Sequence, residues 1–362
     1  MRWIAACSRK TANCVGHKSS VARVTHWRKG ILCCIAGFSL IMFGMGVGAQ
    51  TKAYSVGKVA DRSVSEWLMR MHEASRQRAY VGTFVVTAGG SMSSARIWHV
   101  CDGEQQMERV ESLTGAPRST FRHNDQVTTF LPESRVAVAE KRESLGLFPN
   151  FLQSNDSAIA QFYSVKASSP ERVAGFEADV LRLRPADSWR FGYRVWAEKK
   201  SGLVVKLQTL DANGQVLEQA AFSDLQLDAP VSMTKLTQMM KNTKGYQVET
   251  PALVKTTALD EGWRLKTGVP GFMQMSCYKR AVGVGADARN KNTLQWVFSD
   301  GLASVSLFVE AFDARYHLQP GSTVVGATAT LTRRIGAWWL TAVGEVPLQT
   351  LRAFSQGLER TP

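Results

Sequence analysis

Apolar side chains recur at Val64, Trp67, Leu68, Met71 and Ala74, the spacing of one helical face. Ser63-Val64-Ser65-Glu66 stands in front of them as a capping box, in which serine and glutamate satisfy backbone donors that a helix start leaves open. A helix over 64–78 is predicted. From Tyr80 the rhythm changes to short extended runs at 80–88, 94–100, 105–111, 118–122, 126–131 and 136–140. Turn formers separate them, among them Gly89-Gly90, Asp102-Gly103, Gly115-Ala116-Pro117, Asn124-Asp125 and Pro132-Glu133-Ser134. Connections this short join antiparallel neighbours, because parallel strands need long crossovers.

Residues 145–163 break the alternation with Leu145, Leu147, Phe148, Phe151, Leu152, Ile159, Phe162 and Tyr163 around Pro149. A short helical segment interrupted at the proline is expected. Strands resume at 176–184, 193–198, 203–210 and 215–222, the last two joined through Asn213-Gly214, a strong hairpin signal. The stretch 228–247 holds Pro230, three methionines and three lysines, and reads as a linker that carries a short amphipathic helix. A second set of strands is predicted at 263–267, 273–278, 293–298, 303–310, 323–330 and 338–343. Its turns are placed at Ser299-Asp300-Gly301 and Arg333-Arg334-Ile335-Gly336. A closing helix begins near Pro347, with Leu348, Leu351, Phe354 and Leu358 on one face.

The length of 362 residues fits about two domains. Its net charge of +14 invites a nucleic-acid partner, but the charge is unevenly spread. Residues 1–49 carry seven of the basic side chains and no acid, then an uncharged apolar run from Ile31 that closes on Gly46-Val47-Gly48-Ala49. This is the form of an export signal cleaved after Ala49, with an uncleaved anchor as the rival. Cys33 and Cys34 open the apolar run instead of ending it, which argues against lipoprotein processing. Without that segment the net charge is +7, and residues 61–229 are close to neutral at −1. The positive excess lies in a lead-in at 50–60, in the linker and after it. Export argues against a cytoplasmic role in transcription or nucleotide metabolism.

Catalytic signatures are missing: there is no Gly-x-Ser-x-Gly, no His-Glu-x-x-His and no Gly-Lys-Ser/Thr phosphate loop. Gly283-Val284-Gly285 runs on into a strand, so it reads as a turn. His99 and Cys101 share a strand face and read as a packed pair before a two-ligand metal site. Cys101 and Cys277 fall in different expected domains and read as separate buried thiols before a disulfide, which an oxidising compartment would allow. No metal and no cofactor is expected. The eight tryptophans after residue 49 belong mostly in cores, and residues 147–151 suit equally a lid over an apolar ligand or a plug of the core.

The order and spacing of several stretches resemble the RseB/MucB family across about residues 60–358. They include Trp67-Leu68-Met69-Arg70-Met71 with Tyr80-Val81-Gly82-Thr83-Phe84, and Phe121-Arg122-His123-Asn124-Asp125-Gln126 with Leu131-Pro132-Glu133-Ser134-Arg135. Tyr193-Arg194-Val195-Trp196, Ser201-Gly202-Leu203-Val204-Val205-Lys206, Gly262-Trp263, Gly268 to Gly271, the run from Ser299 to Glu310, and Gly336 through Val346-Pro347-Leu348 continue it.

The resemblance implies an α+β protein: a curved, partly open antiparallel half-barrel covered by helices (61–229, similar to LolA/LolB lipoprotein carriers), a linker (230–250) and a smaller antiparallel-sheet domain with a C-terminal helix (251–362). It implies a periplasmic, non-enzymatic negative regulator of the sigma-E or AlgU response. Such a regulator binds the periplasmic domain of a single-pass anti-sigma factor of the RseA/MucA type, shields it from proteolysis and is released by lipid, lipopolysaccharide or lipoprotein fragments. A lipid or lipoprotein carrier on the same fold is the alternative, and a hydrolase of envelope components a third reading. The expected lipid contacts are Leu147, Phe148, Phe151, Leu152 and Phe162. The expected partner contacts are Lys235, Lys241, Lys244, Arg333 and Arg334. Nucleic acid is not an expected partner, and homo-oligomerisation is left open.

Overall fold

A computed structural model describes residues 62–141, 156–281 and 292–361, all within one compact unit. The expected export signal and lead-in, and Leu147, Phe148, Phe151 and Leu152, lie outside the described residues. Helix α1 (Val64–Gln77) starts as expected: the Ser63 hydroxyl accepts from the Glu66 amide at 3.2 Å, and the Ser63 amide donates to the Glu66 carboxylate at 2.6 Å. Its apolar face, from Val64 to Ala74, is buried against α2, β2 and β7 as defined below.

Two meanders make the larger sheet. The first is β1 (Tyr80–Ala88), β2 (Ser91–Cys101), β3 (Gln106–Ser112), β4 (Ser119–His123), β5 (Gln126–Leu131) and β6 (Val136–Lys141). After α2 (Asp156–Phe162) comes the second: β7 (Tyr163–Val173), β8 (Phe176–Pro185), β9 (Gly192–Glu198), β10 (Val204–Leu210) and β11 (Val216–Leu227). They join where β1 pairs with β11, Tyr80 opposite Leu227. With β12 (Gln247–Glu249) the order is β12-β6-β5-β4-β3-β2-β1-β11-β10-β9-β8-β7. The end strands β12 and β7 do not pair, so the sheet stays open. It nevertheless curls, since β7 reaches β11 although three strands separate them in the sheet. Strand β7 has no counterpart among the predicted strands. It is a mostly exposed, polar edge, and its pairing with β8 slips between Ser168 and Glu171, where Pro170 cannot donate to a ladder.

The basic stretch after β11 does more than connect. Helix α3 (Met233–Lys241) is capped by the Ser232 hydroxyl and buries Leu236 and Met240, one turn apart, against Val100, Met107, Phe121, Phe130 and Ala137. Tyr246 then packs edge-on against Phe130, and β12 runs parallel to β6. Segment 230–250 thus covers one face of the larger sheet and extends its edge.

The smaller sheet comprises β13 (Leu253–Lys255), β15 (Met273–Ala281), β16 (Asn292–Ser299), β17 (Ser304–Ala311), β18 (Gly321–Val325), β19 (Thr328–Ile335) and β20 (Trp338–Gly344), in the order β13-β15-β16-β17-β20-β19-β18. Strand β14 (Trp263–Leu265) pairs separately with the terminal β21 (Leu358–Arg360). Helix α4 (Leu348–Gly357) lies over β19 and β20, with Leu351 and Phe354 in a core shared by Trp263, Trp296, Phe298 and Leu340. Three local expectations change. The run 323–330 is two strands folded at Gly326, whose φ of +59° a side chain rarely adopts. Arg333 and Arg334 belong to β19, and the turn falls on Gly336 and Ala337. Leu358 is buried on a strand instead of the helix.

If α3 holds the larger sheet together, Leu236→Ala should lower unfolding free energy by about 2–5 kcal/mol in denaturant titrations. A value within about 0.5 kcal/mol, as for a surface position, would show that the segment only connects.

Candidate functional site

The larger and smaller sheets meet at the loop 186–191 between β8 and β9. Arg190 lies there with its side chain inaccessible, and a guanidinium so placed must find partners for its donors. Its Nε donates to Asp187 Oδ1 at 3.0 Å and its Nη1 to Asp300 Oδ2 at 2.9 Å, while Nη2 donates to the Pro270 carbonyl. Asp300, equally inaccessible, sits in the turn after β16. Its other oxygen accepts from the Leu302 and Ala303 amides at 2.9 and 2.7 Å, and the Tyr163 hydroxyl donates to Oδ2 at 3.1 Å. Burial pushes the Asp300 carboxyl up, and Arg190 opposes that shift. The same loop grips α4: Gln349 donates to the Ser188 carbonyl and the Thr350 hydroxyl to the Trp189 carbonyl, the latter at 2.7 Å.

A second contact has a different character. Glu218 on β11 is 2% exposed and meets the β18–β19 turn, where the Ala327 amide donates to it. A Cβ on Gly326 would lie 2.8 Å from the Ala88 Cβ and 3.2 Å from Glu218 Oε2, so the turn sits directly on the larger sheet. Glu218 Oε1 is buried without a hydrogen-bond partner. Burial and the nearby Glu345 push its carboxyl up to about 7.

Of the expected lipid contacts, Phe162 is described. It closes α2, and its ring lies 4.3 Å from the Arg190 guanidinium, at the junction of the sheets. The expected partner contacts fall into two sets. Lys235, Lys241 and Lys244 are exposed along α3 and the turn behind it. Arg333 and Arg334 alternate on β19: Arg333 donates to the Ser355 carbonyl near the end of α4 at 2.6 Å, whereas Arg334 is exposed, with its guanidinium 3.9 Å from the Phe312 ring. Arg333 therefore serves the fold, while Arg334 presents a pre-oriented cation.

A polar row crosses the larger sheet: Tyr80, His99, Glu108 and Arg122 are successive cross-strand partners on β1 to β4 and so share a face. Tyr80 and His99 stack at 4.9 Å, and Arg122 pairs with Glu108 at 3.0 Å. Both ring nitrogens of His99 are buried without a partner, and burial lowers its affinity for a proton. Cys101 and Cys277 are free thiols. Among the described residues no cluster of three or more His, Cys, Asp or Glu side chains could hold a metal, and no helix is long and apolar enough to cross a membrane.

Sequence reasoning passed over Arg190, Asp300 and Tyr163. The available signal was a hairpin loop holding Asp187, Trp189 and Arg190, more apolar and more charged than a turn needs.

A family model described as the MucB/RseB N-terminal domain matches residues 63–240, and one described as the MucB/RseB C-terminal domain matches residues 257–359. The chain is 32% identical over 296 residues to the sigma factor AlgU regulatory protein MucB of Pseudomonas aeruginosa, across 79% of this chain and 87% of that protein. It is 22% identical over 309 residues to the sigma-E factor regulatory protein RseB of Haemophilus influenzae, across 83% and 93%. Among solved structures, the complex of MucA and MucB from Pseudomonas aeruginosa matches with a TM-score of 0.63 and 27% identity, over 82% of this chain and 99% of that chain.

Two measurements probe the contacts between the sheets. Removing Asp300 takes the acceptor from Arg190 Nη1 in a site without water, so Asp300→Ala should cost about 3–5 kcal/mol in equilibrium unfolding. Glu218 titrates near its ordinary 4.5 when unfolded and near 7 when folded. Below that window both states hold the proton. Within it the unfolded chain releases a proton that the folded chain keeps, so stability falls by about 1.4 kcal/mol per pH unit and levels off above it. Glu218→Gln should abolish that part of the pH dependence; an unchanged slope would assign it elsewhere.

Proposed function

The chain belongs to the MucB/RseB family, and on that premise we propose that it is a periplasmic negative regulator of a sigma-E-type envelope-stress response. It binds the periplasmic region of a membrane-spanning anti-sigma factor, shields that region from proteolysis, and lets go when lipid or lipoprotein ligands accumulate. One observation supports this reading above the others: the likeness runs through both sheets, and a relative covered over nearly its whole length was solved with MucA bound. A carrier needs one cavity, whereas a regulator that answers a ligand by releasing a protein needs a part for each and a joint between them. Leu147, Phe148, Phe151, Leu152 and Phe162 supply apolar contacts to the lipid, and of these Phe162 closes α2. The partner meets Lys235, Lys241, Lys244 and Arg334, whose exposed cations suit an acidic peptide and mainly set the rate of encounter. Arg333, the fifth of the expected contacts, is tied to the end of α4 through the Ser355 carbonyl.

The decisive experiment is recovery from an envelope extract by the chain from residue 50 onward. A single-pass anti-sigma factor supports the regulator; lipoproteins alone would make the chain a carrier. With the purified anti-sigma segment, a Lys235→Glu, Lys241→Glu, Lys244→Glu triple variant should associate about tenfold more slowly at low salt. That difference should shrink near 1 M salt, where the screening length is about 3 Å. A defect indifferent to salt would exclude steering by these lysines.

A further inference from the structure

We propose that Phe162, Arg190 and Asp300 form a relay through which displacement of α2 releases the smaller sheet from the larger. The proposal deepens the regulator reading and rests on it for its biological meaning, but its geometry stands independently. Phe162 holds the loop 186–191 in two ways. Its carbonyl accepts from the Ala186 amide at 2.8 Å, and its ring lies against the Arg190 guanidinium. Arg190 then reaches across the junction to Asp300 and the Pro270 carbonyl.

The opposite side is shaped to receive the same ring. Gly271 has φ +80°, and a Cβ there would lie 2.7 Å from the Phe162 ring and 3.0 Å from Arg190 Nη1. The neighbouring Phe272 ring is 5.2 Å from the Arg190 guanidinium and packs edge-on against Phe354 of α4. One planar cation therefore bridges an aromatic ring of α2 and the aromatic core of the smaller sheet.

The relay also depends on sealing. The Arg190–Asp300 attraction is strong because both side chains are cut off from water. Of the rings around the Arg190 guanidinium, that of Phe162 is the nearest at 4.3 Å, and Phe162 is the last residue of a helix only seven residues long. Withdrawing that ring admits water to the pair, and a pair of this kind in water contributes little. A shift of one aromatic side chain thus turns a tight joint into a loose one, a two-state change of the kind that couples distant sites. A ligand that wedges α2 away from the sheet acts on this joint directly.

The test reads the joint without any ligand or partner. Spin labels are placed at Glu104→Cys in the β2–β3 turn of the larger sheet and Gln356→Cys on α4, both exposed, in the chain from residue 50 onward, which lacks Cys7, Cys14, Cys33 and Cys34, carrying Cys101→Ser and Cys277→Ala. The parent chain should give one narrow distance distribution, and Phe162→Ala should widen it roughly twofold or shift it. Phe162→Tyr, which keeps the ring over Arg190, should restore the parent distribution. Ile159→Ala, a buried change elsewhere in α2, should leave it narrow. An unchanged distribution in Phe162→Ala overturns the relay, as does equal widening in Ile159→Ala. If Phe162→Ala does not fold, Phe162→Leu is read by the same criterion. Loss of anti-sigma binding by the parent chain would defeat the regulator reading and leave this result intact.

Discussion

A guanidinium buried without access to water dictates its surroundings. Arg190 carries five N–H donors that cannot be titrated away, so the chain must bring acceptors to it. They come from three places in the sequence: Asp187 in its own loop, the carbonyl of Pro270 and the carboxylate of Asp300. Two of these belong to the turns of the smaller sheet, so satisfying Arg190 also fixes where that sheet attaches. Asp300 in turn would be a stranded anion without Arg190, the amides of Leu302 and Ala303, and the Tyr163 hydroxyl. Removing Asp300 leaves the Arg190 Nη1 donors without their acceptor in a dry place, and removing Arg190 leaves the Asp300 carboxylate without a countercharge, which is why such pairs cost much to break though little is gained by building them.

The larger sheet imposes a second requirement. A long antiparallel sheet that curls but does not close has two faces and two open edges to manage. Helix α1 covers the side where Tyr80, Phe84, Ile97 and Phe222 gather with Ala74, and α3 covers Val100, Met107, Phe121 and Phe130. This places the basic stretch after β11 firmly on the sheet, with Leu236 and Met240 turned inward and three lysines left in solvent. The charge excess noticed in the sequence is thus presented on a rigid helix instead of a loose tether. The cations have less freedom to lose when an acidic partner binds.

Much of this was legible from residue pattern. The capping box at Ser63, the period of Val64 to Ala74, and the strands Tyr80–Ala88 and Gln126–Leu131 follow from local chemistry that tertiary contacts reinforce. The family was legible too, because the order of many short stretches carries information that none carries alone. Three features were not. Strand β7 is polar, edge-lying and broken by Pro170, so neither alternation nor hydrophobicity marks it. Arg333 and Arg334 look like a charged turn, yet one face of β19 needs a donor for the end of α4 and the other a cation over Phe312. Arg190 has no periodicity at all. Its role is set by Asp300, 110 residues away, and a pairing at that separation leaves no trace in one sequence.

The contacts at Arg190 and at Glu218 are unequal, and the inequality bears on how the molecule responds. At Arg190 the polar groups of Asp300 are matched from several directions. At Glu218 one carboxylate oxygen has no partner, and Glu345 stands near enough to resist its ionisation. A buried carboxyl in that condition opposes the contact it sits in, increasingly so as the pH rises toward 7. The second contact is therefore poor at holding the sheets together unaided, and the joint depends on the first. A protein built to stay associated under all conditions would match both. One matched contact, flanked by Phe162 on the side of α2 and by Phe272 on the side of the smaller sheet, and one mismatched contact leave a joint that leans on the first, beside the short helix that a ligand entering the larger sheet would disturb.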